Sequence, residues 1–524
     1  MKLIVRSWIS FLMASLLAWP AGAQTLSART PAKPKVKLVL AIVIDQFRAD
    51  YLWRFAADYR GAFSRFARDG ATLVNAHYEH FPTVTAIGHS TFLSGATPSV
   101  SGIIGNTWYD RALKKNVTSV SDDATDLLGA NGAGSSPRKL LVSTIPDELK
   151  ISGKGGKAFG ISIKDRSAIL PVGHMANGAF WFDGQTGGFV SSTYYGKELP
   201  QWVADFNGSK PGDRYLEMPW TSVTNPSVTL KRSKPAPGAP YSSLDATPFA
   251  NDLVAALAER ALDAEKLGQG DKVDVLSVSF SANDYVGHAH GPDSPEARDI
   301  SIRTDRLLEK LLLFVDQKVG LANTLVVLTA DHGVAPVAEV NIERKMPGGR
   351  LRSADLDKAV QDALTKKYGE GKWIEARAEY SLYLDLKLIE QKGLPVADVE
   401  QTAVDALRRM PHVFRVYSAS ELLAGRVTHD RLGARLTNGF HPARSGSVTM
   451  FQDPYYLFDK SGTTHGLPFS YDTHVPVIFM GPGIKPGKYA QAAAVNDIAP
   501  TLATLLEIET PSGAYGRCLV EILR

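Results

Sequence analysis

The chain predicts an α/β fold: a central, mostly parallel sheet sandwiched between helices, with an inserted smaller α+β subdomain. Three observations lead there. Uninterrupted apolar runs of strand length recur along the sequence, as strands buried on both faces of a parallel sheet require. Helical stretches alternate with those runs, the pattern of a sheet covered by helices. Carboxylates stand at or just after the predicted strand ends, where open α/β sheets keep their sites.

The first run, Val36 to Ile44, is broken only by Lys37. Val273 to Phe280, Thr324 to Leu328 and Val475 to Met480 read the same way, and Asn251 to Lys266 and Ala297 to Val315 read as helices between them. Two stretches depart from the pattern. Residues 171–247, rich in Gly, Pro, Tyr and Trp, read as an irregular, cap-like insertion. Residues 341–446 read as the α+β subdomain, with helices over Ala354–Tyr368 and Val396–Met410 and extended segments over Tyr380–Leu386 and Val413–Tyr417. The core is then 36–340 and 447–524, consistent with a 524-residue chain that exceeds one hydrophobic core. No repeat is evident.

At the N-terminus, Lys2 and Arg6 precede the apolar run Ile9 to Trp19, and Ala21-Gly22-Ala23 offers a small-residue cleavage site. Residues 1–23 therefore read as a signal peptide and 24–35 as a flexible lead-in, which predicts a periplasmic or secreted protein. The apolar run is about half of the roughly 20 residues a bilayer span needs, and no later segment suits one. Cys518 is the only cysteine, so no intrachain disulfide forms. A formal charge of +4 with no long basic run excludes a nucleic-acid-binding module of the stripe or tail kind.

The chemistry is carried by Asp45, Asp284 with His288, Asp331 with His332, and His465. Six oxygen and nitrogen donors from four places suit two cations, since a zinc-like ion takes about three or four of them. A nucleophile is sought in Phe81-Pro82-Thr83-Val84-Thr85-Ala86-Ile87-Gly88-His89-Ser90, where hydroxyl residues open a helix running to Leu93. A helix start favours an incoming anion. Alone, such a threonine is ordinarily an N-cap.

Together with Gly105-Asn106-Thr107-Trp108-Tyr109, Lys164-Asp165-Arg166, Asp284-x3-His288-x2-Gly291-Pro292, Asp331-His332-Gly333 and Thr464-His465-Gly466, the Thr85 segment resembles the phosphate-irrepressible alkaline phosphatases. These are secreted, monomeric members of the alkaline phosphatase superfamily, close to the nucleotide pyrophosphatase/phosphodiesterases. The resemblance runs from Val36 to Leu519. It implies an alkaline-phosphatase-like α/β/α sandwich and two Zn2+, one held by Asp284, His288 and His465, the other by Asp45, Asp331, His332 and the Thr85 hydroxyl. It implies Thr85 as the nucleophile that forms a covalent phosphothreonine, and small-molecule phosphate monoesters as substrates of a monomer. Asn106, Lys164 and Arg166 would complement the non-bridging oxygens of a dianionic phosphoryl group. The Lys-x-Arg pair, which the phosphodiesterase pattern lacks, points to monoesters. The same donors would also accept manganese or cobalt.

His89, His290 and His474 are expected to be supporting hydrogen-bonding residues. Asp472 is expected either to orient His465 or to hold the turn after it, and Asp305 and Glu296 read as ordinary helix-face charges. Trp181, Trp202 and Trp220 either line the site mouth or pack in the core. The sulfatases of the superfamily carry a cysteine or serine within Cys/Ser-x-Pro-x-Arg, and Cys518 lies in Arg-Cys-Leu-Val, so that reading fails. Two other functions stay open: a phosphodiesterase or phosphonate-ester hydrolase on the same scaffold, and a non-catalytic phosphate- or metal-binding protein.

Overall fold

Strand Leu38–Ile44 organises the architecture. All seven of its residues are buried, and each large aliphatic side chain so buried contributes roughly 1.5–3 kcal/mol. The structure, a computed structural model, describes residues 35–524. The expected signal peptide and the lead-in up to residue 34 lie outside the described residues. Leu38–Ile44 pairs in parallel with Val273–Phe280 on one side and Thr324–Thr329 on the other. Gly155–Ser162 and Gly178–Phe182 extend the parallel run beyond Val273–Phe280. The five parallel strands sit inside an eleven-stranded sheet whose outer strands, among them Val477–Met480 and Phe189–Ser192, turn antiparallel. The sheet is thus mostly parallel where it is most buried.

Helices cover it in two groups. Ala62–Asp69, Pro248–Ala264 and Pro295–Lys318 pack together, and Thr85–Ser94, Ile145–Ile151, Asp165–Ile169 and Ile498–Leu506 form the other group. Pro295–Lys318 begins as its sequence dictates, with the Ser294 hydroxyl accepting from the Ala297 N–H and proline at the first position. Asp305 is no ordinary helix-face charge. It is fully buried and accepts the N–H groups of Arg60, Gly61 and Phe63 at 2.9, 2.8 and 2.8 Å, capping Ala62–Asp69 from a distant helix. Glu296 faces His290 at 3.7 Å.

Two stretches differ from their sequence reading. Residues 171–247 are not wholly irregular, since Gly178–Phe182 and Phe189–Ser192 are strands of the central sheet. The tryptophans pack rather than line a mouth: Trp202 donates to Glu265 and lies against Phe159 and Phe180, Trp220 donates to Asp299, and Trp181 is buried. Farther on, helices Ser353–Tyr368 and Val396–Arg408 back a four-stranded antiparallel sheet of Ile374–Ala378, Ser381–Leu384, Val413–Ser418 and Val448–Gln452 around Trp373, Leu364 and Val404. Its strand Val448–Gln452 lies beyond residue 446, because Ser381–Leu384 and Val413–Ser418 both need it as a neighbour. Among the described residues, no helix is long and apolar enough to cross a membrane.

Candidate active site

The candidate residues converge at the carboxyl ends of the parallel strands. Asp45 directly follows Leu38–Ile44, Asp331 stands two residues after Thr324–Thr329, and Lys164 stands two residues after Gly155–Ser162. Asp284 does not end a strand; it lies in the first turn of helix Ala282–His290, which follows Val273–Phe280. Thr85 is the first residue of helix Thr85–Ser94 and does not cap it, since Val84 is the N-cap and no side chain bonds there. Gly88 lets that helix come close: a Cβ there would lie 2.3 Å from the Asp331 carbonyl oxygen.

Two groups of donors result. Asp45, Asp331 and His332 each bring a ligand atom within 4.8 Å of the others, and so do Asp284, His332 and His465. His332 belongs to both, with Nε2 3.5 Å from Asp45, 3.3 Å from Asp331 and 3.4 Å from Thr85 Oγ1. His465 Nε2 stands 3.6 Å from Asp284 Oδ1, and His288 Nε2 stands 3.2 Å from the same oxygen at the more exposed rim.

These residues fit divalent cations on two observations. Asp45 Oδ1 and Asp331 Oδ2 are buried without any hydrogen-bond donor, an arrangement that costs free energy unless a cation satisfies it. Each imidazole is also pinned from behind: Nδ1 of His332, His288 and His465 lies 3.0, 2.8 and 2.8 Å from the carbonyl oxygens of Gly333, Thr463 and Thr83. Donation from Nδ1 leaves the Nε2 lone pair aimed inward, as metal-ligating histidines require.

Electrostatics divide the set. Burial, with the Asp45 carboxylate beside it, pushes Asp331 well above the usual carboxylate range. Burial acts in the same direction at Asp284, but His288 and Lys164 outweigh it and hold that group well below the range. Burial pushes His332 down to about 3, and burial with the neighbouring His332 lowers His465 as well. Both rings are therefore neutral at neutral pH and able to ligate. His288 opposes them: despite burial, Asp284 lifts it to about 9.

The residues expected to hold a phosphoryl group are arranged differently. Asn106 Oδ1 accepts the Ala86 N–H at 2.9 Å, tying that amide to the start of the Thr85 helix. Lys164 turns its ammonium to the carboxylates, 2.8 Å from Asp45 and 2.6 Å from Asp284. Arg166 has a loose pairing with Asp165 at 3.7 Å, and its Nε is buried without a partner.

The neighbouring histidines are structural. His89 uses Nδ1 on the Thr85 carbonyl and Nε2 on Ser279 Oγ, and His474 bonds the Val74 carbonyl and stacks on His77. Asp472 holds the turn after His465, accepting the N–H groups of Gly466 and Leu467 at 3.0 and 2.8 Å. Sequence reasoning missed Gln46, whose amide donates to Asp284 at 2.6 Å and whose backbone N–H donates to Asp331 at 3.0 Å. Its φ of 60° is uncommon for a residue other than glycine and typical of residues locked at a site. A polar residue directly after Asp45 was the one available signal.

Comparison with known proteins gives a consistent picture. Residues 39–474 match the family described as type I phosphodiesterase/nucleotide pyrophosphatase. Alkaline phosphatase PafA of Elizabethkingia meningoseptica is 38% identical over 94% of this chain and 96% of its own length. Alkaline phosphatase PhoV of Synechococcus elongatus is 36% identical over 98% of each. The crystal structure of wild-type PafA superposes with a TM-score of 0.88 over 94% of this chain and all of its own.

Proposed function

Since the chain belongs to the type I phosphodiesterase/nucleotide pyrophosphatase family, within the alkaline phosphatase superfamily, we propose that it is a metal-dependent alkaline phosphatase. It hydrolyses a broad range of small-molecule phosphate monoesters to an alcohol and inorganic phosphate. The observation that carries this reading is the position of Thr85 Oγ1, 3.4 Å from the one imidazole common to both donor groups.

Asp45, Asp331 and His332, with the Thr85 hydroxyl, would hold one zinc, and Asp284, His288 and His465 the other. When bound, the two cations would polarise the Thr85 hydroxyl and neutralise charge on the leaving oxygen. The Thr85 hydroxyl gives its proton to water as Oγ1 attacks phosphorus in line; the ester oxygen departs with its electron pair and takes up a proton from water to leave as the alcohol, giving a phosphothreonine. Water then breaks the Thr85 O–P bond, restoring the hydroxyl and releasing phosphate. The Asn106 amide, its oxygen already committed to Ala86, turns its N–H groups toward a phosphoryl oxygen, and the loosely paired Arg166 supplies a second contact. Export to the periplasm or beyond rests on residues 1–23.

One observation favours a second reading, a phosphodiesterase. The Lys164 ammonium is engaged by Asp45 and Asp284, which leaves less positive charge for the second negative charge of a monoester. Hydrolysis of a matched aryl monoester and diester by zinc-loaded protein separates the two, with Thr85→Ala as control. Monoester preference lost in the control is the expected result, and diester preference would replace the proposal with its alternative.

A further inference from the structure

The inserted subdomain reaches the site through a two-residue turn. Strands Ile374–Ala378 and Ser381–Leu384 form a hairpin whose closing pair is Ala378 with Ser381, so Glu379 and Tyr380 are its tip. Glu379 adopts φ 48°, a conformation that glycine, asparagine or aspartate fits better in such turns. Its carboxylate accepts the N–H groups of Asn106 and Thr107 at 3.0 and 3.4 Å. Gly105 makes room, since a Cβ there would stand 3.0 Å from Glu379 Cγ. The next residue braces the opposite wall: the Tyr380 hydroxyl donates to the His465 carbonyl at 2.9 Å.

A half-buried carboxylate in an unfavourable turn, reaching into another part of the chain to accept two adjacent N–H groups, does little for the hairpin itself. Its partners belong to the loop that carries Asn106, and Asn106 is joined to the Thr85 helix. Burial raises the Glu379 carboxyl above its ordinary range, against the two N–H groups and the Arg166 guanidinium, which favour its charged form.

We propose that Glu379 is a positioning residue of the inserted subdomain, fixing the Asn106 loop so that its amide meets the phosphoryl group. The inference rests on the role proposed above for Asn106. A displacement of about 1 Å at such a contact is enough to cost on the order of 10²-fold in rate, so the subdomain governs turnover without touching substrate.

A double-mutant cycle on the zinc-loaded full chain tests it. Glu379→Ala is expected to lower monoester kcat by about 10²-fold with zinc content unchanged, and to have no further effect in an Asn106→Ala background. Glu379→Gln, which keeps an acceptor oxygen, is expected to restore turnover to within about threefold. Equal losses in both backgrounds, loss of zinc, or failure of Glu379→Gln to restore turnover would overturn the proposal while leaving the phosphatase reading intact. A silent Asn106→Ala would instead remove the role given to Asn106 and this inference with it. Should Glu379→Ala not fold, Glu379→Asp runs through the same cycle, with a smaller loss and the same dependence on Asn106.

Discussion

The proposed metal-ligating wall of the site and its proposed phosphoryl-binding wall are held in place by different means. On the first, His332, His288 and His465 are each pinned by a backbone carbonyl, and Asp45 and Asp331 are wholly buried. On the second, Lys164 leans on the carboxylates of the first wall, Arg166 has one loose partner, and Asn106 depends on a loop braced by the inserted subdomain. The difference teaches that the candidate ligands are fixed by burial and by backbone carbonyls, whereas the proposed substrate contacts are more loosely held and so more adjustable. Diversification of substrate on one scaffold follows from such a division.

The largest effect is expected at Thr85, where the walls meet. Thr85→Ala should lower turnover by on the order of 10⁴-fold or more, with metal content unchanged in elemental analysis; metal loss would show that Thr85 belongs to the metal wall alone. Next come the histidines. His332→Ala and His465→Ala should each deplete about one of the two metals, since His332 offers a single inward lone pair with its Nδ1 on the Gly333 carbonyl; full retention of both metals in either variant would contradict the assignment. On the other wall, Lys164→Ala with Arg166→Ala should lower monoester kcat/KM by about 10²- to 10³-fold and diester kcat/KM far less. Equal losses on both esters would remove the role given to the pair. The smallest catalytic effect is expected far from either wall: Asp305→Ala leaves three N–H groups without their acceptor, so it should lower unfolding stability by about 3 kcal/mol in a denaturant titration and leave kcat unchanged.

How far these walls were legible in the sequence divides along the same line. The parallel strands are apolar on both faces, so Val36 to Ile44 announced itself, and the carboxylates at or just after their ends followed from the logic of open sheets. The margin of the parallel run is different. Gly178–Phe182 and Phe189–Ser192 are short strands in glycine-rich surroundings, and only their neighbours show that they join the sheet. Val448–Gln452 is assigned to the smaller sheet by partners at residues 381–382 and 413–418, which no local pattern encodes. Asp305 and Glu379 were missed or misread for a related reason. A carboxylate that accepts backbone N–H groups from a remote segment carries the same letter as one in solvent. Gln46 was illegible in its conformation, since a positive φ outside glycine has no compositional signature.

The strand at the centre of the sheet is also the first of the described strands to be synthesised, and this has a consequence for assembly. Leu38 pairs with Asp274 on one side and Thr324 on the other, so Leu38–Ile44, apolar throughout, has no sheet partner until more than half of the chain exists. Pairings of such long range are slow and leave apolar surface open to aggregation meanwhile. The donor set closes later still, when His465 arrives. Capture of the proposed metals would therefore be a timestamp on biogenesis: a chain that retains both is one in which the segment carrying His465 has docked beside Asp284, and a chelator pulse during refolding would report how long that wait lasts.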